Sequence, residues 1–191
     1  MEPLALAAWF GVAVVVVVVA FIVIATYNDV IALRQRVDKA WANIDVGLKQ
    51  RHDQLPALID AVRGVLAFER NTLTEVTRLR AAYSPTQPIR DQAATSEATT
   101  AAVRSLFAVL ERYPQIKAHE NVLDLQDEIE RIENVIADRR ELYNDQVYRF
   151  NTTIAQVPAV ALAGLFGWKA RPFFLAEPVE RHPPDTDLEP G

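Results

Sequence analysis

The chain contains 191 residues and carries a formal net charge of −5 at neutral pH, with 50% hydrophobic residues and no cysteine. The acidic balance supplies no basic stripe for a phosphate backbone, which argues against nucleic acid as a partner. The lack of cysteine excludes both disulfides and thiolate metal sites. The length is sufficient for one domain with its own core in addition to a separate apolar segment.

The N-terminal region contains an apolar run without charged residues over positions 4–26. A helix over this run would rise about 34 Å, enough to cross a hydrocarbon core of about 30 Å. A cleaved signal peptide is the alternative, but such peptides begin with basic residues and have a shorter apolar run. Here the only charged side chain before the run is that of Glu2. We therefore predict a retained transmembrane anchor over residues 1–26.

The distribution of basic residues bears on the side of the membrane that the domain occupies. No lysine or arginine precedes the apolar run, whereas Arg34, Arg36 and Lys39 follow it closely. Basic residues tend to remain in the cytoplasm, so the pattern favours a single-pass cell-membrane protein whose domain faces the cytoplasm. Asp29 and Asp38 lie among these basic residues, and the opposite orientation therefore stays open.

Beyond the anchor, apolar residues recur every three or four positions, which is the spacing of amphipathic helices. Four such stripes cover residues 30–48, 58–79, 91–113 and 122–154. Pro56 is predicted either to begin the second helix or to kink a continuing one. Two prolines predict a loop over residues 84–88. The pattern predicts an all-α fold in which the transmembrane helix precedes an antiparallel up-and-down four-helix bundle over residues 27–158, packed like a coiled coil.

The segment over residues 159–176 combines aromatic and basic side chains. Its candidate membrane-interface residues are Phe166, Trp168, Lys169, Arg171, Phe173 and Phe174. In an up-and-down bundle the fourth helix returns to the membrane, and aromatic rings with neighbouring cations are typical of the headgroup region. The same rings are suited to capping the open end of the bundle core, and the two roles are compatible. Residues 177–191 are acidic and proline-rich, which predicts a disordered tail.

Four polar residues lie beside the predicted apolar seams, namely Asp45, Glu133, Asn144 and Asn151. Asn144 and Asn151 are two helical turns apart, so they lie on the same side of the fourth helix. Polar residues in this position commonly fix the register of packed helices through interhelical hydrogen bonds. We predict that role for all four, with a recognition patch for a partner helix as the alternative.

A further set of residues is informative as an ordered series. In the first helix the series is Tyr27-Asn28, Leu33-Arg34, Val37-Asp38, Ala40-Trp41, Ile44-Asp45-Val46, Leu48-Lys49, Arg51, Asp53 and Pro56. In the fourth helix it is Leu125-Gln126, Glu133-Asn134, Arg140, Tyr143-Asn144, Asn151 and Val157-Pro158. With the anchor before it, the series resembles the LemA family of bacterial and archaeal membrane proteins. The chain departs from that family after Pro158, because the family often has Phe-Pro followed shortly by Asn.

The resemblance implies a membrane-anchored four-helix bundle and little chemistry, because the family has no established enzymatic activity or ligand. Its members are often discussed alongside membrane metalloproteases and envelope stress. The resemblance therefore implies a membrane protein as partner, with a metalloprotease as the first candidate.

The sequence contains no recognisable catalytic, metal-binding or cofactor-binding constellation. His119-Glu120 begins like a zinc-protease motif, but position 123 is Leu123 instead of histidine. Glu130 is followed three residues later by Glu133, so the Glu-x-x-His motif of di-iron bundles is missing as well. Without a Gly-x-Ser-x-Gly motif or a cysteine nucleophile, we expect a protein that is not an enzyme and holds no metal or cofactor.

We therefore predict a membrane-anchored scaffold or adaptor that binds protein partners at the bilayer surface. One alternative is a sensory bundle that holds a small molecule between its helices. The alanine-rich face predicted for the third helix would leave room there, and it consists of Ala94, Ala98, Ala101 and Ala102. The other alternative is a self-assembling structural protein, whose partner is a second copy of the chain.

Overall fold

A computed structural model describes residues 3–63, 70–117 and 120–175, and the regular secondary structure in these ranges is helical throughout. The helices are α1 (Pro3–Arg63), α2 (Arg70–Ala82), α3 (Ile89–Leu110), α4 (Pro114–Lys117), α5 (Glu120–Ala155) and α6 (Ala159–Phe166). The predicted all-α class is confirmed. The predicted disordered tail over residues 177–191 lies outside the described residues.

The longest helix, α1, joins the apolar run to the rest of the molecule without interruption. It spans 61 residues, which corresponds to about 90 Å at the rise of an α-helix. The valines at positions 14–19 are 46–67% exposed, and the run is long and apolar enough to cross a membrane. The helix continues through Pro56 to Arg63, so this proline does not begin a new helix.

Helix α5 lies along α1, and the contacts run in opposite order along the two helices. The contacting pairs are Trp41 with Tyr143, Asn43 with Arg139, Gly47 with Ile136, and Arg51 with Glu133. The helices lie close together at Gly47, where an added Cβ would lie 2.9 Å from Ile136 Cγ1. A side chain at position 47 would therefore separate the two helices.

The buried side chains form two clusters, one nearer the apolar run and one farther from it. The proximal core contains Val30, Val37, Ala40, Ile44, Leu48, Ala93, Ile132, Ile136, Tyr143, Val147, Phe150, Ile154, Ala159 and Phe174. The distal core contains Leu55, Leu58, Ile59, Val62, Val76, Leu79, Ala102, Val103, Leu106, Val109, Leu110, Val122 and Ile129. Burial of these side chains is the main source of stability, because no single helix can bury its own apolar stripe.

The buried face of α3 differs from the alanine face that the sequence suggested. Ala94, Ala98 and Ala101 are exposed. The buried residues of this helix are Gln92, Ala93, Ser96, Thr99, Ala102, Val103, Leu106, Val109 and Leu110. The larger apolar residues near the C-terminal end of α3 determine which face turns inward, and helical spacing then brings polar residues to the inner face of its first half.

The chain changes direction after α5 through a cis peptide bond between Val157 and Pro158. The short helix α6 follows, and it ends at Gly167, which has a φ of 65°. This left-handed conformation is easily adopted only by glycine, and it is the usual way to end a helix. Residues 167–175, which we call the strap, contain no regular secondary structure after this turn.

Candidate functional site

A polar cluster occupies the boundary between the two cores. The Arg51 guanidinium on α1 is 5% exposed and lies 2.9 Å from Oε1 of Glu133 on α5. Arg51 also donates to the Ser96 and Thr100 hydroxyl oxygens on α3, both at 3.0 Å. Thr100 in turn donates to Glu133 Oε2 at 2.6 Å. Three helices are therefore joined by one connected set of hydrogen bonds.

Glu133 thus makes interhelical hydrogen bonds, which are the contacts that its predicted register role requires. A buried ion pair is weak evidence for stability, because the loss of hydration offsets the attraction between the charges. Its geometry is selective, however, since sliding either helix by one turn would leave a buried charge without a partner. Arg51 was not among the predicted register residues, although it continues the buried spacing of Ile44 and Leu48.

Asn144 and Asn151 bind the strap instead of another helix. The Asn144 side chain accepts from the Phe174 backbone N–H at 2.8 Å and donates to its carbonyl at 3.3 Å. Asn151 repeats this arrangement with Arg171, at 2.8 Å and 2.9 Å. Each amide thus pairs with both polar groups of one backbone residue, as a neighbouring β-strand would. The predicted interhelical role of the two asparagines is corrected in this respect.

Phe174 anchors the strap in the proximal core. Its side chain is 0% exposed, its ring lies 5.8 Å from that of Trp41, and the Arg140 guanidinium lies over it at 5.9 Å. Tyr143 adds a hydrogen bond from its hydroxyl to the Pro172 carbonyl at 2.9 Å. Phe174 is therefore buried in the proximal core, a position that suits the core-capping role, one of its two predicted roles.

The other strap residues predicted at a membrane interface differ in their surroundings. Arg171 donates from Nη2 to Asp38 Oδ1 at 3.0 Å. Lys169 is exposed, and the Phe173 side chain is 37% exposed. The strap thus has an inner side held by α1 and α5 and an outer side that carries Lys169 and Phe173.

Three aromatic rings meet where the uncharged run ends. Tyr27 lies directly after that run on α1, and its ring is 5.0 Å from that of Phe166 and 6.2 Å from that of Trp168. Phe166 and Trp168 stack at 5.3 Å. We call these three rings the aromatic cluster. The structure therefore brings together Phe166 and Trp168, two of the predicted interface residues, and adds Tyr27 to them. The position of Tyr27 directly after the apolar run is the feature of the sequence that could have indicated this role.

Asp45, the last of the predicted register residues, contacts the loop that follows α2. The Tyr83 hydroxyl donates to Asp45 Oδ1 at 3.3 Å. Burial, together with the nearby Asp45 charge, raises the pKa of Tyr83 to about 12. Burial is also the first cause that raises the pKa of Tyr143 to about 12. Both hydroxyls therefore remain protonated donors at neutral pH.

An open groove of about 570 Å³ lies on the outer side of α5, lined by Ala137, Arg140, Glu141, Asn144, Asp145 and Tyr148. Tyr148, which is part of this lining, is 62% exposed. Aromatic and arginine side chains are enriched where protein partners bind. We call this surface the α5 groove.

The inner part of the molecule is closely packed where a ligand would have to fit. The cavity beside Arg51, between α1, α2 and α3, measures about 10 Å³, which is room for one water at most. Among the described residues, no group of three or more histidine, aspartate or glutamate side chains is placed to hold a metal ion.

Comparison with known proteins adds a family match. Residues 40–188 match the model described as the LemA family, which is more than half of the chain. The match begins at Ala40, so the apolar run and the first turns of α1 after it lie outside the matched region. No curated protein matches the chain.

Proposed function

The chain belongs to the LemA family, and we propose that it is a single-pass membrane scaffold that presents protein-binding surfaces close to the bilayer. The observation that carries the proposal is the continuity of α1. One helix contains both the apolar run and the residues that form the proximal and distal cores. A domain attached in this way is held at a defined height and tilt relative to the membrane.

We further propose that α1, α2, α3 and α5 form an antiparallel up-and-down four-helix bundle. The opposite order of the contacts along α1 and α5 supports this topology. The contact of Tyr83, just after α2, with Asp45 on α1 supports a return of the chain toward the apolar run. In such a bundle the outward faces are available for partners while the inner faces are fully used in packing.

The α5 groove is the surface we propose for partner binding. It is open, and exposed Tyr148 lies in its lining together with Arg140 and Glu141. A partner would bury Tyr148 at the centre of the interface and keep the charged groups at the rim. The partner that we propose to test first is a membrane metalloprotease, because the family resemblance points to that class. We propose no catalytic step for the chain itself.

The test is photo-crosslinking in native membranes with a photoreactive residue at Ala137 or Tyr148, both of which line the α5 groove. We expect a discrete adduct with a membrane protein at both positions. Ala108, exposed on α3, is the matched control and should give no such adduct. Identical adduct patterns at all three positions would contradict a specific surface. An adduct with the chain itself would instead support the self-assembling alternative.

The small-molecule alternative receives no support from the packing. The cavity beside Arg51 is far smaller than the roughly 300–1,000 Å³ of typical ligand sites. The alanines expected to line such a space, at positions 94, 98 and 101, are exposed. The scaffold therefore remains the function that the geometry favours.

The side of the membrane is open to a direct measurement, because the chain has no native cysteine. We propose a cytoplasmic domain, on the basis of Arg34, Arg36 and Lys39 after the span. A single cysteine at exposed Asp124 would then react with a membrane-impermeant maleimide only after lysis. Labelling in intact cells would place the domain outside and direct the search for partners to the envelope.

A further inference from the structure

A second hollow lies between α1 and the first residues of the strap, directly beside the aromatic cluster. It measures about 300 Å³, and its lining includes Arg34, Lys169, Arg171 and Trp168. None of the described residues that line it is acidic. We call it the basic hollow. Three cations around one small concave surface are unusual in a chain whose net charge is −5.

The charges around the basic hollow are only partly balanced. Asp38 accepts a hydrogen bond from Arg171 at 3.0 Å and offsets one of the three cations. Arg34 and Lys169 are both exposed at the mouth of the hollow. The site therefore retains an excess of positive charge, and the Arg34 guanidinium has the fork geometry that suits phosphate oxygens.

The basic hollow lies at the end of the apolar run. Trp168 belongs both to its lining and to the aromatic cluster around Tyr27, the residue that follows the run. Helix α6 leads into the hollow, carries no charged residue, and exposes Val160 (47%) and Leu165 (78%). Apolar surface, aromatic rings and cations thus follow one another in the order of a lipid leaflet from acyl chain to headgroup.

We propose that the basic hollow binds the phosphate group of an anionic phospholipid, of the phosphatidylglycerol type, whose acyl chains lie against α6 and the apolar run. This inference rests on the proposed membrane anchoring of α1. A lipid is favoured over free phosphate because it is held in the same plane as the site, which raises its effective concentration. A lipid also supplies acyl chains for the exposed apolar face of α6, whereas free phosphate would leave that face without a ligand.

The probe is Trp168 fluorescence in full-length protein reconstituted into phosphatidylcholine bilayers. A minority of the lipid is either brominated phosphatidylglycerol or brominated phosphatidylcholine, since bromine quenches nearby indoles. The Trp168 signal is the difference between the Trp9→Phe chain and the Trp9→Phe/Trp168→Phe chain. We expect brominated phosphatidylglycerol to quench Trp168 at least about twice as strongly as brominated phosphatidylcholine.

Charge variants test whether the cations cause this preference. Arg34→Gln/Lys169→Gln should abolish the difference between the two lipids. Lys49→Gln/Arg63→Gln is the matched control, because both side chains are exposed farther along α1 and the change in net charge is the same. The control should keep the preference for phosphatidylglycerol. A preference that survives in Arg34→Gln/Lys169→Gln would overturn the proposal.

Two further measurements separate the outcomes. Added inorganic phosphate should leave the lipid preference intact. If phosphate abolished the preference, the lipid proposal would be overturned in favour of a site for free phosphate.

Trp9 lies within the apolar run, and its signal is the difference between the native and the Trp9→Phe chains. Quenching of Trp9 without any lipid preference at Trp168 would overturn the lipid site alone. An unquenched Trp9 would overturn membrane anchoring as well.

Discussion

At the residue scale, the Arg51 cluster shows how a charge is accommodated between two apolar cores of packed helices. The guanidinium has four hydrogen-bond contacts, to Glu133, to Thr100 and to two oxygens of Ser96. Each contact replaces part of the hydration that burial removes. The pair lies between Leu48 of the proximal core and Leu55 of the distal core, so it divides one long seam into two apolar parts.

This arrangement predicts an asymmetric response to substitution. Arg51→Met should lower the Tm by about 6 °C, because Glu133 then remains largely buried without its cation, at a cost of about 2 kcal/mol. The double variant Arg51→Met/Glu133→Leu should recover most of this loss, since no charge remains buried. Thermal unfolding followed by circular dichroism in mild detergent measures both. Equal Tm values for the single variant and the native chain would show that the pair does not contribute.

The two buried tyrosines predict a loss of stability at high pH. Folding raises the pKa of Tyr83 and Tyr143 from the ordinary value of 10 to about 12. The contribution of each protonated hydroxyl to the free energy of unfolding is therefore largest below pH 10. That contribution is lost as the pH rises through 12, because the folded state binds the proton more tightly. We expect the Tm to fall between pH 10 and 12, and to fall less in Tyr143→Phe and Tyr83→Phe. A titration of tyrosinate absorbance with a midpoint near 10 for both residues would contradict this prediction.

At the scale of elements, the strap is a short segment held by side-chain amides. Asn144→Leu removes two hydrogen bonds to Phe174 and should let the strap open more often. Trypsin cleavage after Lys169 reports this opening, and we expect it to accelerate about tenfold. Asn134→Leu is the matched control, because Asn134 is exposed on the same helix. Unchanged cleavage in Asn144→Leu would mean that Phe174 alone holds the strap.

The neighbouring phenylalanines separate the core cap from the membrane interface. Phe174→Ser should lower the free energy of unfolding by about 3 kcal/mol, because it empties a fully buried position. Phe173→Ser should lower it by only about 1 kcal/mol, because this side chain is 37% exposed and gains less from burial. Denaturant titration of the full chain in detergent compares the two. Similar losses for both variants would contradict the assignment of Phe174 as the core anchor.

Apolar periodicity predicted most of α1 and α5 because both helices use one narrow stripe over their whole length. Val37, Ile44 and Leu48 are buried as their spacing requires. The spacing could not predict the buried face of α3, where polar Ser96 and Thr99 point inward. Ser96 pairs there with Arg51, a partner remote in sequence, whereas the Thr99 hydroxyl donates to the Thr95 carbonyl of its own helix. Asn144 and Asn151 were recognised as unusual, but only the folded chain brings the strap to them.

At the scale of the whole molecule, the continuity of α1 determines how the domain is oriented. A flexible linker after the apolar run would let the domain tumble, and any surface on it would then meet partners at variable heights. Under the proposed membrane anchoring, an unbroken helix transmits the tilt of the apolar run to the rest of the domain instead. The aromatic cluster adds a second contact at the same level, because α6 is joined to Tyr27 through Phe166 and Trp168.

Rigid coupling makes a prediction that spin labels can measure. Cysteines at Val18, in the apolar run, and at exposed Lys49 should give one narrow distance distribution centred at about 45 Å, the length of the helix between them. Insertion of Gly-Ser-Gly-Gly after Thr26 should broaden it, because glycine lowers helix propensity. Pulsed electron paramagnetic resonance in lipid nanodiscs provides the measurement. A broad distribution in the chain without the insertion would reveal a hinge between span and bundle. In that case the α5 groove would have no fixed height above the bilayer, and partner selection would depend on the groove alone.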